Sequence, residues 1–236
     1  METLNVICVL WHGEFRARDY TVDDVVRLER MVIHNLNHLP MQFICLTNLD
    51  ISECPSGLGI NWIPLEYDLL GWWSKLEVFR SNLGLKGRCL YLDLDVLICG
   101  LIDDIAFYSD GITFMLPISP PKVLPYLTTK TNKEGKVVVT RFQSSCFTWD
   151  APREDFDINE LLSSNIVDKY RGDQDVLGLL YNLEANTFPP EWFTKIRDCR
   201  KLSAPPPGVK VILGNPKPLW RKFLENVDWV KELANV

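Results

Sequence analysis

The sequence has no C-x-x-C pair, no surplus of basic residues, no apolar run of membrane-spanning length and no low-complexity stretch. Each absence removes a class of protein. Seven cysteines (Cys8, Cys45, Cys54, Cys89, Cys99, Cys146, Cys199) are scattered, mostly within apolar runs. Without paired spacing they suggest neither a zinc site nor a disulfide frame, and buried thiols in a reducing compartment are expected. Lys and Arg total 25 against 31 Asp and Glu, a net charge of −6. The overall field therefore disfavours nucleic acid and anionic membranes, while leaving room for a local phosphate site. The opening METLNVICVLWHGEFR lacks the basic start and longer apolar core of a secretory leader. No segment approaches the roughly 20 apolar residues of a membrane span. A soluble, cytoplasmic protein is the expectation.

What is present is an ordinary globular balance: 236 residues, 47% hydrophobic and 24% charged, enough for a real core. Strand and helix signals alternate in the first half. LNVICVL reads as a strand. TVDDVVRLERMVIHNL reads as a helix with Thr21 as N-cap, acids in its first turn and apolar positions at Val22, Val25, Val26, Leu28 and Val32. MQFICLT and INWIPL are further strands. SKLEVFRSNLG reads as a helix, with Ser74 and Glu77 at capping-box spacing and a stop near Gly84. RCLYLDLD is the next strand. This alternation predicts a mostly parallel sheet flanked by helices.

The second half is less regular. GITFMLPI is strand-like, SPPKVLPYLTTKTNKEGK breaks the pattern, and VVVTRF and SCFTW read as antiparallel strands. DINELLSS and DQDVLGLLYNL read as helices, SAPPPG as a stiff connector into the strand VKVIL, and the chain closes in helix. One α/β domain over residues 1–236 is the economical organisation.

The run RCLYLDLDVLICG poses the chemical question, because two carboxylates, Asp93 and Asp95, interrupt an otherwise buried strand. Burying like charges side by side is costly unless something positive accompanies them. On a strand, residues two apart share a face, with α-carbons about 6.6 Å apart, close enough to serve one cation. Ligands in open α/β sheets bind at the carboxyl ends of strands. Asp93 and Asp95 are therefore candidate ligands for a divalent metal; the alternative is one acid capping a turn and the other pairing with a basic residue.

Further residues break that tie. YLDLDVLICGLIDDI resembles the D-x-D segment of GT-A-fold glycosyltransferases. WWSKLEVFR, RGDQDVL and GNPKPLW resemble, in order, the helix before D-x-D, the D-Q-D segment and the late G-x-x-K-P-W segment of the group that includes glycogenin and bacterial lipopolysaccharide sugar transferases. The resemblance implies a GT-A (Rossmann-like) mixed, mostly parallel sheet. Its nucleotide-binding half would span roughly residues 1–100 and its acceptor-side half roughly 101–236. The implied activity is sugar transfer from a nucleoside diphosphate sugar, a UDP-sugar with retention, to an unidentified acceptor (a glycan, a protein or a small molecule).

By the same resemblance, Asp93 and Asp95 hold Mn²⁺ or Mg²⁺, hard ions suited to carboxylate oxygen. Asp173 would meet sugar hydroxyls and Gln174 the anomeric centre, with Asp175 a lesser candidate. Gln143 and Ser144 in FQSSCFTW would contact the donor sugar. One departure stands out. The group places a metal-binding histidine just before the late glycine, whereas this chain has Val211, Ile212 and Leu213 there, and its histidines are His12, His34 and His38. A third protein ligand is therefore not identified. The tryptophan is also displaced by one residue, to Trp220.

Several residues keep two readings. Gly214 permits close backbone approach to a ligand, and Lys217, between two prolines, is a phosphate-binding cation or a solvated turn lysine. Asp173 is a site residue or a helix N-cap. Lys75 points at the diphosphate or into solvent. Trp72 and Trp73 form an acceptor platform or belong to the core. Tyr20 is a candidate base contact in the first loop, and His12 reads as a loop histidine. Two other functions compete: a haloacid-dehalogenase-like phosphatase, since LYLDLDVL also fits that family's strand, and a catalytically silent nucleotide-sugar-binding module, since the histidine is missing.

Overall fold

Strand β1 (Leu4–Leu10) is apolar at nearly every position, as befits a strand covered on both faces. Val6 and Cys8 enter one core, while Ile7 points into the other. The computed structural model describes residues 3–14, 20–37, 39–118, 128–214 and 217–235. After β1 the order is α1 (Val22–His34), β2 (Met41–Thr47), β3 (Ile60–Pro64), β4 (Gly87–Leu92), β5 (Val96–Ile98), α2 (Ile102–Ala106), β6 (Thr113–Met115), β7 (Thr128–Thr131), β8 (Val137–Thr140) and β9 (Gln143–Ala151). Then follow α3 (Ile158–Ser163), α4 (Ile166–Lys169), α5 (Asp173–Leu180), β10 (Asn186–Thr187), β11 (Phe193–Lys195), β12 (Val211–Leu213), α6 (Lys217–Asn226) and α7 (Asp228–Ala234).

Seven strands form the main sheet in the order β10-β6-β9-β4-β1-β2-β3. Strand β1 runs parallel to both β2 and β4, and β3 parallel to β2, whereas β9 is antiparallel to its neighbours β4 and β6. The expected mostly parallel, mixed α/β sheet is what the chain forms. A smaller sheet, β11-β12-β5, lies beyond the end of β4. One core packs α1, α2, α6, α7 and the small sheet on one face of the main sheet. The other core is rich in aromatic rings, with Phe147 stacked on Tyr91 at 4.8 Å and on Phe79 at 5.6 Å. All seven cysteines are free thiols, and only Cys99 is more than marginally exposed. Among the described residues no helix is long and apolar enough to cross a membrane.

Thr21 caps α1 as expected, in a reciprocal box with Asp24. The SKLEVFRSNLG expectation needs correction. Residues Gly71–Phe79 form a 3₁₀ helix, followed by extended Arg80 and a separate turn at Ser81–Leu83 that closes on left-handed Gly84. No capping box forms there. The Ser74 hydroxyl bonds Gly71 O at 2.6 Å, and the buried Glu77 carboxylate accepts the Glu66 and Tyr67 amides at 2.7 and 3.1 Å. The Glu77 bonds tie the segment to the loop after β3, and the carboxylate does not return to the Ser74 amide. VVVTRF and SCFTW form antiparallel strands as expected, each with other partners. Strand β8 forms a hairpin with β7, while β9 inserts between β4 and β6.

Candidate active site

The main sheet stops at Leu92, so Asp93 and Asp95 do not lie on a continuous strand as expected; Leu94 and Asp95 form a turn leading into β5. Each end of this turn is tied to a different sheet. The Asp93 amide donates to Ser145 O on β9 at 2.9 Å. The Asp95 carbonyl accepts the Gly214 amide at 2.6 Å, just past β12, which pairs with β5. A Cβ on Gly214 would lie 2.6 Å from both the Asp95 carbonyl and the Trp220 ring. The glycine is thus demanded by protein packing, a reason the sequence did not supply. The displaced Trp220 fills that place and is fully buried.

Lys75 is the hub of the site. Its Nζ lies 2.9 Å from Asp93 Oδ1 and 3.3 Å from Asp173 Oδ2, and donates to the carbonyl and the hydroxyl of Ser144, both at 3.1 Å. Its side chain is only 7% exposed, so the solvated alternative is wrong. Burial alone would lower the lysine's pKa, but Asp173 and Asp93 outweigh it and hold the ammonium above its ordinary value. The Tyr91 hydroxyl also donates to Asp93 Oδ1, at 2.8 Å, and Ser144 donates to Asp173 Oδ2 at 2.6 Å. Burial, then the Asp93 charge, push the Tyr91 phenol well above its usual range. Tyr20, expected as a base contact, bonds the Asp95 carboxylate, and burial followed by Asp95 raises its pKa too.

Asp173 is not the N-cap of α5. Gly172 occupies that position, and the Asp173 carboxylate faces Lys75 and Ser144 instead. Gly172 is required there because a Cβ would come within 2.9 Å of Trp72 Nε1. The tryptophan doublet therefore splits: Trp73 is core, and half-buried Trp72 packs against the start of α5. Asp175 is fully buried, with Oδ1 accepting the Val139 amide at 2.9 Å and pairing with Arg171 at 3.2 Å. It anchors α5 to β8. Gln174 follows Asp173 on the helix and is half-buried, as is Gln143, whose Nε2 lies 3.4 Å from Ser145 Oγ. Lys217 opens α6, and its side chain lies outside the described residues, as do Asn215 and Pro216. His12 is tied through its backbone to the Asn48 amide at 2.7 Å, a loop role.

Asp93, Asp173 and Ser144 are thus brought together by Lys75, with Asp95 beside them. Sequence reasoning missed Tyr91 and Arg27. Tyr91 had a signal, sitting two residues before Asp93 on the same strand face. Arg27 of α1 donates to the Leu94 carbonyl at 3.0 Å and had none.

Two carboxylates, Asp93 and Asp173, share the one Lys75 ammonium, a local excess of negative charge that suits a cation. Oδ2 of Asp93 enters none of the bonds just described, and Asp95 is half-exposed. The donor set is hard oxygen, fitting Mn²⁺ or Mg²⁺ with water and phosphate completing the shell. Among the described residues no group of three or more His, Cys, Asp or Glu is arranged to hold a metal.

Neither a protein-family model nor a curated protein matches the sequence. Solved structures do. The galactosyltransferase LgtC in complex with donor and acceptor sugar analogs aligns over 98% of this chain and 95% of that chain, with a TM-score of 0.61 at 12% identity. An active-site mutant of LgtC aligns over the same shares, with a TM-score of 0.60 at 11% identity. The chain has the GT-A fold of these structures. The likeness lends no support to the phosphatase alternative.

Proposed function

We propose that this chain is a glycosyltransferase that moves a sugar from a nucleoside diphosphate sugar, a UDP-sugar with retention, to an acceptor glycan, protein or small molecule. The observation that carries the proposal is the buried Lys75, held between Asp93 and Asp173 at the carboxyl edge of a GT-A-fold sheet. A buried cation between carboxylates drawn from two separate elements is costly to assemble, and its place at the ligand-binding edge supports a functional reason for it.

Asp93 and Asp95 hold the divalent ion, which when bound supplies Lewis-acid stabilisation of the departing diphosphate worth several kcal/mol. Lys75 fixes Asp93 relative to Asp173 and offsets the repulsion that carboxylates would exert on incoming phosphate. Asp173 keeps Oδ1 outside the Lys75 and Ser144 bonds, available to a sugar hydroxyl. Gln174 stands next to it, toward the anomeric centre. Gln143 and Ser144 border the donor sugar. Gly214, Lys217 and Tyr20 belong to the nucleotide-diphosphate side, with the nucleotide half over residues about 1–100 and the acceptor half over about 101–236 of one domain.

The test is a thermal-shift panel of nucleoside diphosphates and their sugars with and without Mn²⁺, followed by release of nucleotide from any hit. Stabilisation by UDP and a UDP-sugar with Mn²⁺, and release of UDP, are expected. Stabilisation by beryllium fluoride alone would instead favour a phosphatase. Donor binding without nucleotide release under any metal or acceptor would mean a silent binding module.

A further inference from the structure

The turn that carries Asp93 and Asp95 is gripped by Arg27, a residue with no part in the chemistry assigned above. Arg27 lies in the second turn of α1, and its Nη2 donates to the Leu94 carbonyl at 3.0 Å, between the two acids. Its Nη1 pairs with Asp24 at 2.7 Å, and Asp24 also takes Arg221 of α6 at 3.0 Å. The Arg27 guanidinium lies over the Trp220 ring, 5.2 Å from its centroid. The other side of the contact closes through Gly214, whose missing Cβ makes room for that same ring while its amide holds the Asp95 carbonyl. The next residue's carbonyl is thus held by Gly214, and Leu94's by Arg27. Asp24 and Arg27 are nearly buried, with side-chain exposures of 1% and 13%.

Two consecutive carbonyls of a loop held by two separate donors cannot swing independently. A buried guanidinium with charge-assisted bonds in two directions is a stiff brace, because its planar fork fixes both partners at once. Lysine has a point charge and cannot span Asp24 and Leu94 in the same way.

We propose that Arg27 is a positioning residue for the cation site: braced by Asp24 and Trp220, it holds the Leu94 peptide so that Asp93 and Asp95 stay at the spacing that binds a divalent ion. This rests on the metal-dependent donor binding proposed above. Outer contacts that orient metal ligands typically contribute 10–100-fold to metal affinity.

The experiment reads the ion directly. Free Mn²⁺ is followed by electron paramagnetic resonance during titration into the full chain at saturating UDP, for the parent, Arg27→Gln, Arg27→Lys and Arg221→Gln. The expected result is about tenfold or greater weakening of Mn²⁺ binding in Arg27→Gln, a smaller loss in Arg27→Lys, and little change in Arg221→Gln, which leaves the Leu94 bond in place. UDP binding without Mn²⁺, measured by calorimetry, should be the same in parent and variants, an outcome that general unfolding would not give. Should Arg27→Gln not fold, Arg27→Lys carries the test, since it keeps the charge beside Asp24. If the folded Arg27 variants bind Mn²⁺ as the parent does, the inference fails while the donor-binding reading stands. If the parent itself binds no Mn²⁺ in the presence of UDP, the donor-binding reading fails first and takes this one with it.

Discussion

Ser144 donates its hydroxyl to Asp173 at 2.6 Å, joining the long strand β9 to the first residue of α5. Lys75 completes the triangle from the 3₁₀ segment on the far side of the aromatic core. Three elements distant in sequence therefore meet at one ammonium, which makes the cluster sensitive to single changes.

Replacing Lys75 with Met leaves two carboxylates facing each other with no cation. Removing one partner of a buried pair typically costs about 3–5 kcal/mol. Asp93 is partly exposed, so a loss of about 3 kcal/mol is expected for Lys75→Met in urea unfolding. The lysine's folded pKa is raised, so its contribution is complete below the unfolded lysine value of about 10.4 and fades only as pH climbs through the folded one. The deficit should therefore be equal at pH 7 and pH 9. A deficit under about 1 kcal/mol would mean that the cluster is not a coupled unit.

Asp95→Asn removes the charge of a side chain that Tyr20 bonds. Metal-dependent turnover of the donor should disappear, with far-UV circular dichroism unchanged. Parent-like turnover would refute the metal assignment.

Asp175 offers a pH test. Burial raises its pKa, chiefly against the pull of Arg171, and its Oδ2 has no hydrogen-bond partner among the described residues. The native state then keeps a proton that the unfolded chain loses near pH 3.9, so stability falls as pH rises from about 4 through the folded value. Asp175→Asn lacks that titration. Urea midpoints for the variant should gain on the parent between pH 4 and pH 7, and a variant that loses ground over this interval would mean that the Arg171 pair outweighs burial.

Gly214→Ala places a methyl group against the Asp95 carbonyl and the Trp220 ring. Overpacking of this kind costs about 1–3 kcal/mol. A lowered melting temperature together with weaker Mn²⁺-dependent UDP binding is expected, because the displaced carbonyl belongs to Asp95. Lowered stability with unchanged UDP binding would show that the site tolerates movement of this turn.

Local signals were legible in the sequence. The apolar run of β1 and the Thr21 cap follow from residues within one turn or one strand. Asp93 and Asp95 stood out because charge in an apolar run is expensive. The partner of each acid was not legible, since Lys75 reaches Ser144 across 69 residues of chain and only the insertion of β9 beside β4 brings them together. Glu77 misled the helix reading because its carboxylate serves the amides of Glu66 and Tyr67. Arg27 left no trace because its target at Leu94 is a main-chain oxygen, which every residue carries.

The turn between β4 and β5 is also a seam. Asp93 is moored to the seven-stranded sheet through Ser145, and Asp95 to the three-stranded sheet through Gly214. The gap between the two acids is consequently a gauge of how the sheets lie against each other. A cavity opened at Ile98 or Val211 would reach the two acids as a misalignment, without any residue at the edge being touched.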